Sequence, residues 1–208
     1  MPARSLPVLS PWRAFVERWK NCSDCVLCET RKNIVLARGS VPCDVLFIGE
    51  APGEGEDVIG QPFVGPAGRL LDDIVNRALR TAGKFDEEAD CLGAPDPWTL
   101  LVAFTNLVCC IPRDSDGRKA TEPDPNEVLA CQPRLAEFIA LCRPRLVVCV
   151  GALAAKWIGN QRSRYGIGGD VRLLDITHPA AILRSNIAQQ GLAIQRCVVQ
   201  IANAVEEL

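Results

Sequence analysis

At 208 residues, 48% of them hydrophobic, the chain has enough apolar side chains for a sizeable core, which excludes wholesale disorder and fits one α/β domain over residues 1–208. The net charge of −2 argues weakly against a nucleic-acid partner, but residues 1–130 carry 14 Lys/Arg against 20 Asp/Glu while residues 131–196 carry nine against three. That asymmetry leaves room for a basic face on an acidic protein, and ordinary solvated surface explains the same numbers.

The N-terminal stretch "MPARSLPVLSPWRAFVERWK" has no apolar block fit for a signal peptide, and no run is long enough to span a bilayer, so the cytoplasm is the expected compartment. The 11 cysteines are then not a disulfide scaffold; metal, cluster or core roles remain. "PWRAFVERWK" places Phe15 and Trp19 four apart behind Pro11, which predicts a short amphipathic helix. A cysteine knuckle, "NCSDCVLCETR", follows. "VLFIG" reads as a buried strand. Pro66 opens a helix in which Leu70, Leu71, Ile74, Val75, Ala78 and Leu79 recur at helical spacing.

"KFDEEADCLGAPDPW" reads as a polar loop, "TLLVAFTNLV" as a second strand and "PRDSDGRKATEPDPN" as a mobile loop. A helix over 126–142, the strand "RLVVCVG", the helix "ALAAKWIG", the strand "VRLLDIT" and a helix from about Ala188 complete the pattern. Strands alternating with helices predict a three-layer α/β/α fold around a central, mostly parallel four-stranded sheet. Three of these strands end in polar pairs: Gly49-Glu50, Thr105-Asn106 and Thr177-His178. Ligands of open α/β sheets bind outside the carboxyl ends of the strands, so a carboxylate, an amide and an imidazole are expected around one crevice.

The exit from the first strand, "GEAPGEGEDVIGQPFVG", is rich in glycine and carboxylates. It is not a dinucleotide fingerprint, because Val58 stands where the third glycine belongs, and it lacks the G-K-[ST] of a P-loop. A Mg²⁺ site at Glu54, Glu56 and Asp57 is conceivable; exposed loop charge is the ordinary reading. Phe63 alone is an ordinary core residue, but beside glycines its face is available to a base. Cys22, Cys25 and Cys28 are spaced C-x2-C-x2-C without the fourth cysteine and proline of a ferredoxin run or the second pair of a zinc ribbon. Any site there must recruit distant thiolates, and Cys109, Cys110 and Cys131 are the candidates. Cys142, Cys149 and Cys197 sit in apolar patterns and read as core; Cys43 and Cys91 carry no signal.

Taken together, "GEAPGEGEDVIGQPFVGPAGRLL", "TNLVCCIPR" and "THPAAILR" resemble the uracil-DNA glycosylase superfamily, specifically its iron–sulfur group, family 4, over about residues 22–185. The resemblance implies a DNA glycosylase that flips uracil out of single- or double-stranded DNA and hydrolyses its N-glycosidic bond. It implies a [4Fe–4S] cluster on Cys22, Cys25, Cys110 and Cys131, which attaches the N-terminal segment of about residues 11–38. It implies a base site formed by Gly49, Ala51, Pro52, Gly53, Phe63 and Asn106, with Glu50 and His178 catalytic and Leu183 as a wedge in the DNA. A monomer with no membrane partner is expected.

The 110–131 loop is longer than the family's pattern and the stretch from Gly151 to His178 is shorter. A relative in the superfamily crosslinks to its product through a histidine after the second strand; "RDSDGRKATEPDPN" contains none, since His178 is the chain's single histidine, so turnover is expected. A non-catalytic or covalently trapping damage-binding module and an electron-transfer protein are the competing classes; retention of Glu50, Asn106 and His178 weighs against a non-catalytic module, and the scattered cysteines and base-pocket motifs weigh against electron transfer.

Overall fold

The computed structural model describes residues 10–88, 98–114, 116–118 and 120–208. Cys91 and most of the predicted 84–98 loop lie outside the described residues. Five strands form one sheet in the order β1-β3-β2-β4-β5. They are β1 (Arg38–Gly39), β2 (Val45–Gly49), β3 (Val102–Asn106), β4 (Leu146–Val150) and β5 (Arg172–Ile176). The β3-β2-β4-β5 core is parallel throughout, and β1 adds to β3 in the antiparallel sense. The four expected strands are all present; the fifth, β1, is two residues long and has no periodicity by which to recognise it.

Strand alternation decides which helix covers which face. Leu46, Ile48, Ala103, Val147 and Cys149 pack against α1 (Pro11–Trp19), α4 (Pro125–Cys142) and α5 (Ala152–Asn160). Val45, Phe47, Val102, Phe104, Leu146 and Val148 pack against α3 (Pro66–Thr81), α6 (Pro179–Arg184) and α7 (Ile187–Glu206). Both faces are therefore apolar, and all residues of β2, β3 and β4 are buried. No helix among the described residues is long and apolar enough to cross a membrane.

Local chemistry sets the helix ends. Ser10 caps α1 by accepting the Arg13 N–H, with Pro11 at its first turn. Asp124 and Glu127 form a capping box on α4. Two short helices depart from the expected pattern. The α2 helix (Glu54–Ile59) lies inside the glycine-rich exit from β2, and α6 follows His178 directly. The loop after β3 also departs from expectation, because an isolated bridge pairs Arg113 with Ala120 and Thr121 N–H reaches Pro112 C=O, which folds it back on itself.

The start of α3 seats the segment that carries Phe63. A Cβ at Gly68 would run into the Phe63 carbonyl, so the loop can lie on the helix only where there is no side chain. Gly68→Ala should therefore lift that loop and destabilise the protein by about 1–3 kcal/mol, the usual cost of overpacking. Thermal melting checks this, and a parental midpoint would contradict the close seating.

Candidate active site at the carboxyl ends of the strands

β2 and β3 end in register, with Gly49 opposite Asn106. Their pairing continues past the strands: Leu107 N–H donates to Gly49 C=O and Val108 N–H to Glu50 C=O. The Asn106 side chain, 3% exposed, and the Phe63 ring both close over Gly49, where a Cβ would collide with Asn106 Oδ1 and Phe63 Cζ. Glycine is required there because two side chains occupy the space of a third. Phe63 has φ 57°, in the left-handed region, and its ring stands 5.9 Å from that of Phe104 at 59°. Arg38 fixes the approach by donating from Nε to Pro62 C=O at 3.0 Å. Phe63 is thus buried, as its core reading expects, and its ring meets the Asn106 side chain over Gly49.

The carboxylates of the glycine-rich exit divide into two groups. Glu56 accepts from the N–H groups of Gly53, Val64 and Gly65, joining the turn after β2 to the Phe63 segment. Asp57 is fully buried and accepts from Lys32 and Asn33 N–H, while Asn33 returns a bond to Asp57 C=O. Arg113 forks onto Glu54 at 2.7 and 2.9 Å and lies 3.5 Å from Asp57 Oδ2. Exposed loop charge is therefore the wrong description of Glu56 and Asp57, which are structural acceptors; Glu54 is exposed but paired. The spacing of Gly53 and Glu56, a helix N-cap and its third residue, was the sequence signal for this role. Pro52 has no N–H and Gly53 commits its own to Glu56.

Glu50, next after Gly49, is half-buried. Burial raises its pKa above the ordinary glutamate value, the negative charge of Glu122 on the folded-back loop raises it further, and Arg184 opposes both. His178 stands at the end of β5 and caps α6: its Nδ1 accepts the Ala180 N–H at 3.1 Å. A backbone N–H can only donate, so Nδ1 carries no proton and the neutral ring bears its proton on Nε2. Burial and then the positive charge of Arg184 lower the His178 pKa, which keeps the ring neutral near pH 7. The ring packs against Gly151 at the end of β4. Beyond it, Leu183 is 43% exposed, and Ile187, which the sequence patterns did not single out, is 87% exposed.

The cysteines gather on the opposite side of β3. Cys22, Cys25, Cys109, Cys110 and Cys131 line one small cavity, of about 10 Å³, together with Asp24, Leu27 and Arg31. Cys28 is not among its lining residues. Cys109 Sγ lies 3.6 Å from Cys131 Sγ and 3.9 Å from Cys110 Sγ. Arg31 donates to Cys110 Sγ at 3.3 Å, and Arg134 to Cys131 Sγ at 3.5 Å. A hydrogen bond from Cys109 and the Arg31 charge lower the Cys110 pKa, whereas the Cys109 thiol is pushed up to about 12. Among the described residues no three His, Cys, Asp or Glu side chains converge on a single ion. The donor set suits a larger group: thiols from three segments around a shared space, faced by two guanidinium groups that favour thiolates.

Comparison with known proteins matches the family model of the uracil DNA glycosylase superfamily to residues 37–200. A Type-4 uracil-DNA glycosylase of Saccharolobus solfataricus is 32% identical over 179 residues, 79% of this chain and 73% of that one. Those of Pyrobaculum aerophilum and Thermotoga maritima are 33% and 31% identical, over 79% and 81% of this chain and 81% of each relative. With this match placed over the crevice, the glycine turn and the strand-end polar groups, the chain belongs to the uracil DNA glycosylase superfamily.

Proposed function

We propose that the protein is a uracil-DNA glycosylase that flips uracil out of DNA, hydrolyses its N-glycosidic bond and so initiates base excision repair. The observation that carries this reading is the meeting of Asn106 and Phe63 over Gly49, with Glu50 next in the chain. A base inside a duplex cannot reach buried groups, so the nucleotide must leave the stack. Phe63 then stacks on the uracil, and the Asn106 amide pairs with O4 and N3–H, an edge where cytosine presents an amino donor. Gly49, Ala51, Pro52 and Gly53 form the wall that lets the base approach the backbone. Leu183, exposed beyond His178, fills the gap in the DNA.

Cleavage of the C1′–N1 bond sends its electron pair to uracil and leaves a cation-like sugar. Negative charge on uracil spreads onto O2, where the His178 Nε2–H and the Glu50 and Ala51 amides donate. The Glu50 carboxylate offsets the sugar's charge and orients the water that adds to C1′. That water loses its proton, uracil leaves as the free base, and an abasic site remains. None of the ten described cysteines is in a disulfide, a usage that suits the reducing cytoplasm.

Cys22, Cys25, Cys110 and Cys131 would hold a [4Fe–4S] cluster, which when bound serves a structural part by joining the N-terminal segment to the β3 exit and α4. The cavity they line and the facing Arg31 and Arg134 support this reading. Cys110 is preferred to Cys109 because Arg31 donates to its sulfur.

The activity is tested with uracil-containing oligonucleotides followed by alkali, which cleaves at abasic sites. His178→Ala should slow single-turnover excision by about 10²–10³, the usual loss for one such donor. It should also melt earlier, because the α6 cap is lost. His178→Asn restores a capping side chain and hence stability, but not the rate. Parental excision by either folded variant would remove His178 from catalysis.

The pH profile follows from Glu50. Its carboxylate acts when ionised, and its pKa is raised, so the rate should climb with pH through that raised value and then level off. His178, with a lowered pKa, adds no loss of rate near pH 7. Glu122→Gln removes one cause of the Glu50 shift and should move the acid limb to lower pH. An unmoved limb would contradict the electrostatic contact.

Protein purified without air should be brown and hold about four irons. Cys110→Ala should bleach and destabilise it, whereas Cys109→Ala should not. Stoichiometric zinc in colourless protein, or equal sensitivity at both positions, would rule out this ligand set.

A further inference from the structure

Arg134 is among the largest fully buried side chains of the protein, 1% exposed, on the inner face of α4. A guanidinium cannot shed its charge, and burying a cation without a counter-charge is costly. Among the described residues no carboxylate pairs with it. Its Nη1 donates to Thr105 Oγ1 at 2.9 Å, and its Nη2 to Asn106 C=O at 2.7 Å, to Leu107 C=O at 2.9 Å and to Cys131 Sγ at 3.5 Å. The groups that face it are the sulfurs of Cys131, Cys109 and Cys110, which carry negative charge only as thiolates. Thr105 in turn donates from Oγ1 to Leu36 C=O at 2.7 Å, and Val35 N–H bonds Cys109 C=O, so the segment that follows the cysteine knuckle joins the same set.

We infer that Arg134 is a positioning residue for base reading, taking the cluster's sulfurs as its counter-charge and fixing the two successive carbonyls, of Asn106 and Leu107, that follow the Asn106 side chain's exit from β3. The inference rests on the reading of Asn106 as the base-reading amide and of the cysteines as cluster ligands. Four thiolates around a [4Fe–4S]²⁺ core leave a net negative charge, which is what a buried guanidinium lacks. The two faces of β3 then work together. On one face Arg134 ties Thr105, Asn106 and Leu107 to the cluster side. On the other, the Asn106 amide meets Phe63 over Gly49. Loss of the cluster's charge would leave Arg134 uncompensated and loosen the strand end that presents the amide, and loss of the fork would loosen the amide while leaving the cluster in place.

The test uses the full-length, cluster-loaded protein and separates charge from fork. Arg134→Gln removes the charge, Arg134→Lys keeps it without the fork, and Thr105→Val removes one partner of the fork alone. Iron content, cluster reduction potential, thermal melting and single-turnover excision of uracil against cytosine are read on each. The Gln variant should shift to a more negative potential, because a buried positive charge no longer favours the added electron, and should hold less iron. The Lys and Thr105→Val variants should keep a potential near the parent's. Both should lose excision rate, by about tenfold for Lys, and should discriminate less well against cytosine.

Equal potentials in the Gln variant and the parent would overturn the counter-charge. Parental rate and discrimination in folded Lys or Thr105→Val protein would overturn the positioning role. If neither Arg134 variant folds, Thr105→Val decides the positioning role by the same readouts. Asn106→Asp at the parental rate would overturn the base-reading assignment itself, and iron-free active protein would overturn the cluster reading; neither result resembles a failure of the coupling.

Discussion

The register of β2 on β3 governs the site. Because Gly49 stands opposite Asn106 and has no Cβ, the amide and the Phe63 ring can occupy one space above the strand end. A shift of one residue would turn the Asn106 side chain to the other face of the sheet, toward the cysteines. The bonds from Leu107 to Gly49 and from Val108 to Glu50 carry the same register beyond the strands, which sets Glu50 beside the amide. The helices cover both faces of the sheet, but that pairing decides which side chains meet above the ends of β2 and β3.

Around it, charge is used mainly to fix backbone. Glu56 collects three N–H groups from two segments, and Asp57 collects two from the segment after the cysteine knuckle. Arg113 bridges Glu54 and Asp57, which connects the folded-back loop after β3 to the glycine turn. Such contacts cost little when the acceptor is a carboxylate and the donors are amides that need partners in any case. They also tie the turn down without filling it with side chains.

What could be read from the sequence and what could not divide along physical lines. β2, β3 and β4 are continuous apolar runs because both faces of the sheet are covered, so their positions stood out. α3 showed a full apolar stripe. β1 is two residues whose place depends on Arg38, which stacks 3.9 Å from the Phe104 ring and pairs with Asp72, contacts far away in sequence. α2, "EGEDVI", has no apolar stripe; its one fully buried residue is Asp57. α6 is six residues capped by a histidine, a residue that seldom signals a helix start. The motifs drew attention to Glu50, Asn106 and His178 through their place at strand ends. Arg134 gave no such signal, since an arginine on a helix reads as surface until its burial is seen.

The electrostatics of the mouth bring these strands of argument together. Burial alone pushes Glu50 toward its protonated form and His178 toward its neutral form. Only the second suits the chemistry. Arg184, six residues beyond His178 at the end of α6, acts on both in the same sense: its positive charge favours ionised Glu50 and neutral His178. DNA brings phosphates of the opposite sign, which would raise both pKa values and protonate both groups. A single cation at the rim opposes that shift for the acid and for the imidazole alike. Residues 131–196 hold an excess of basic side chains, and at Arg184 that excess acts on a carboxylate and an imidazole together, lowering both pKa values where phosphate would raise them.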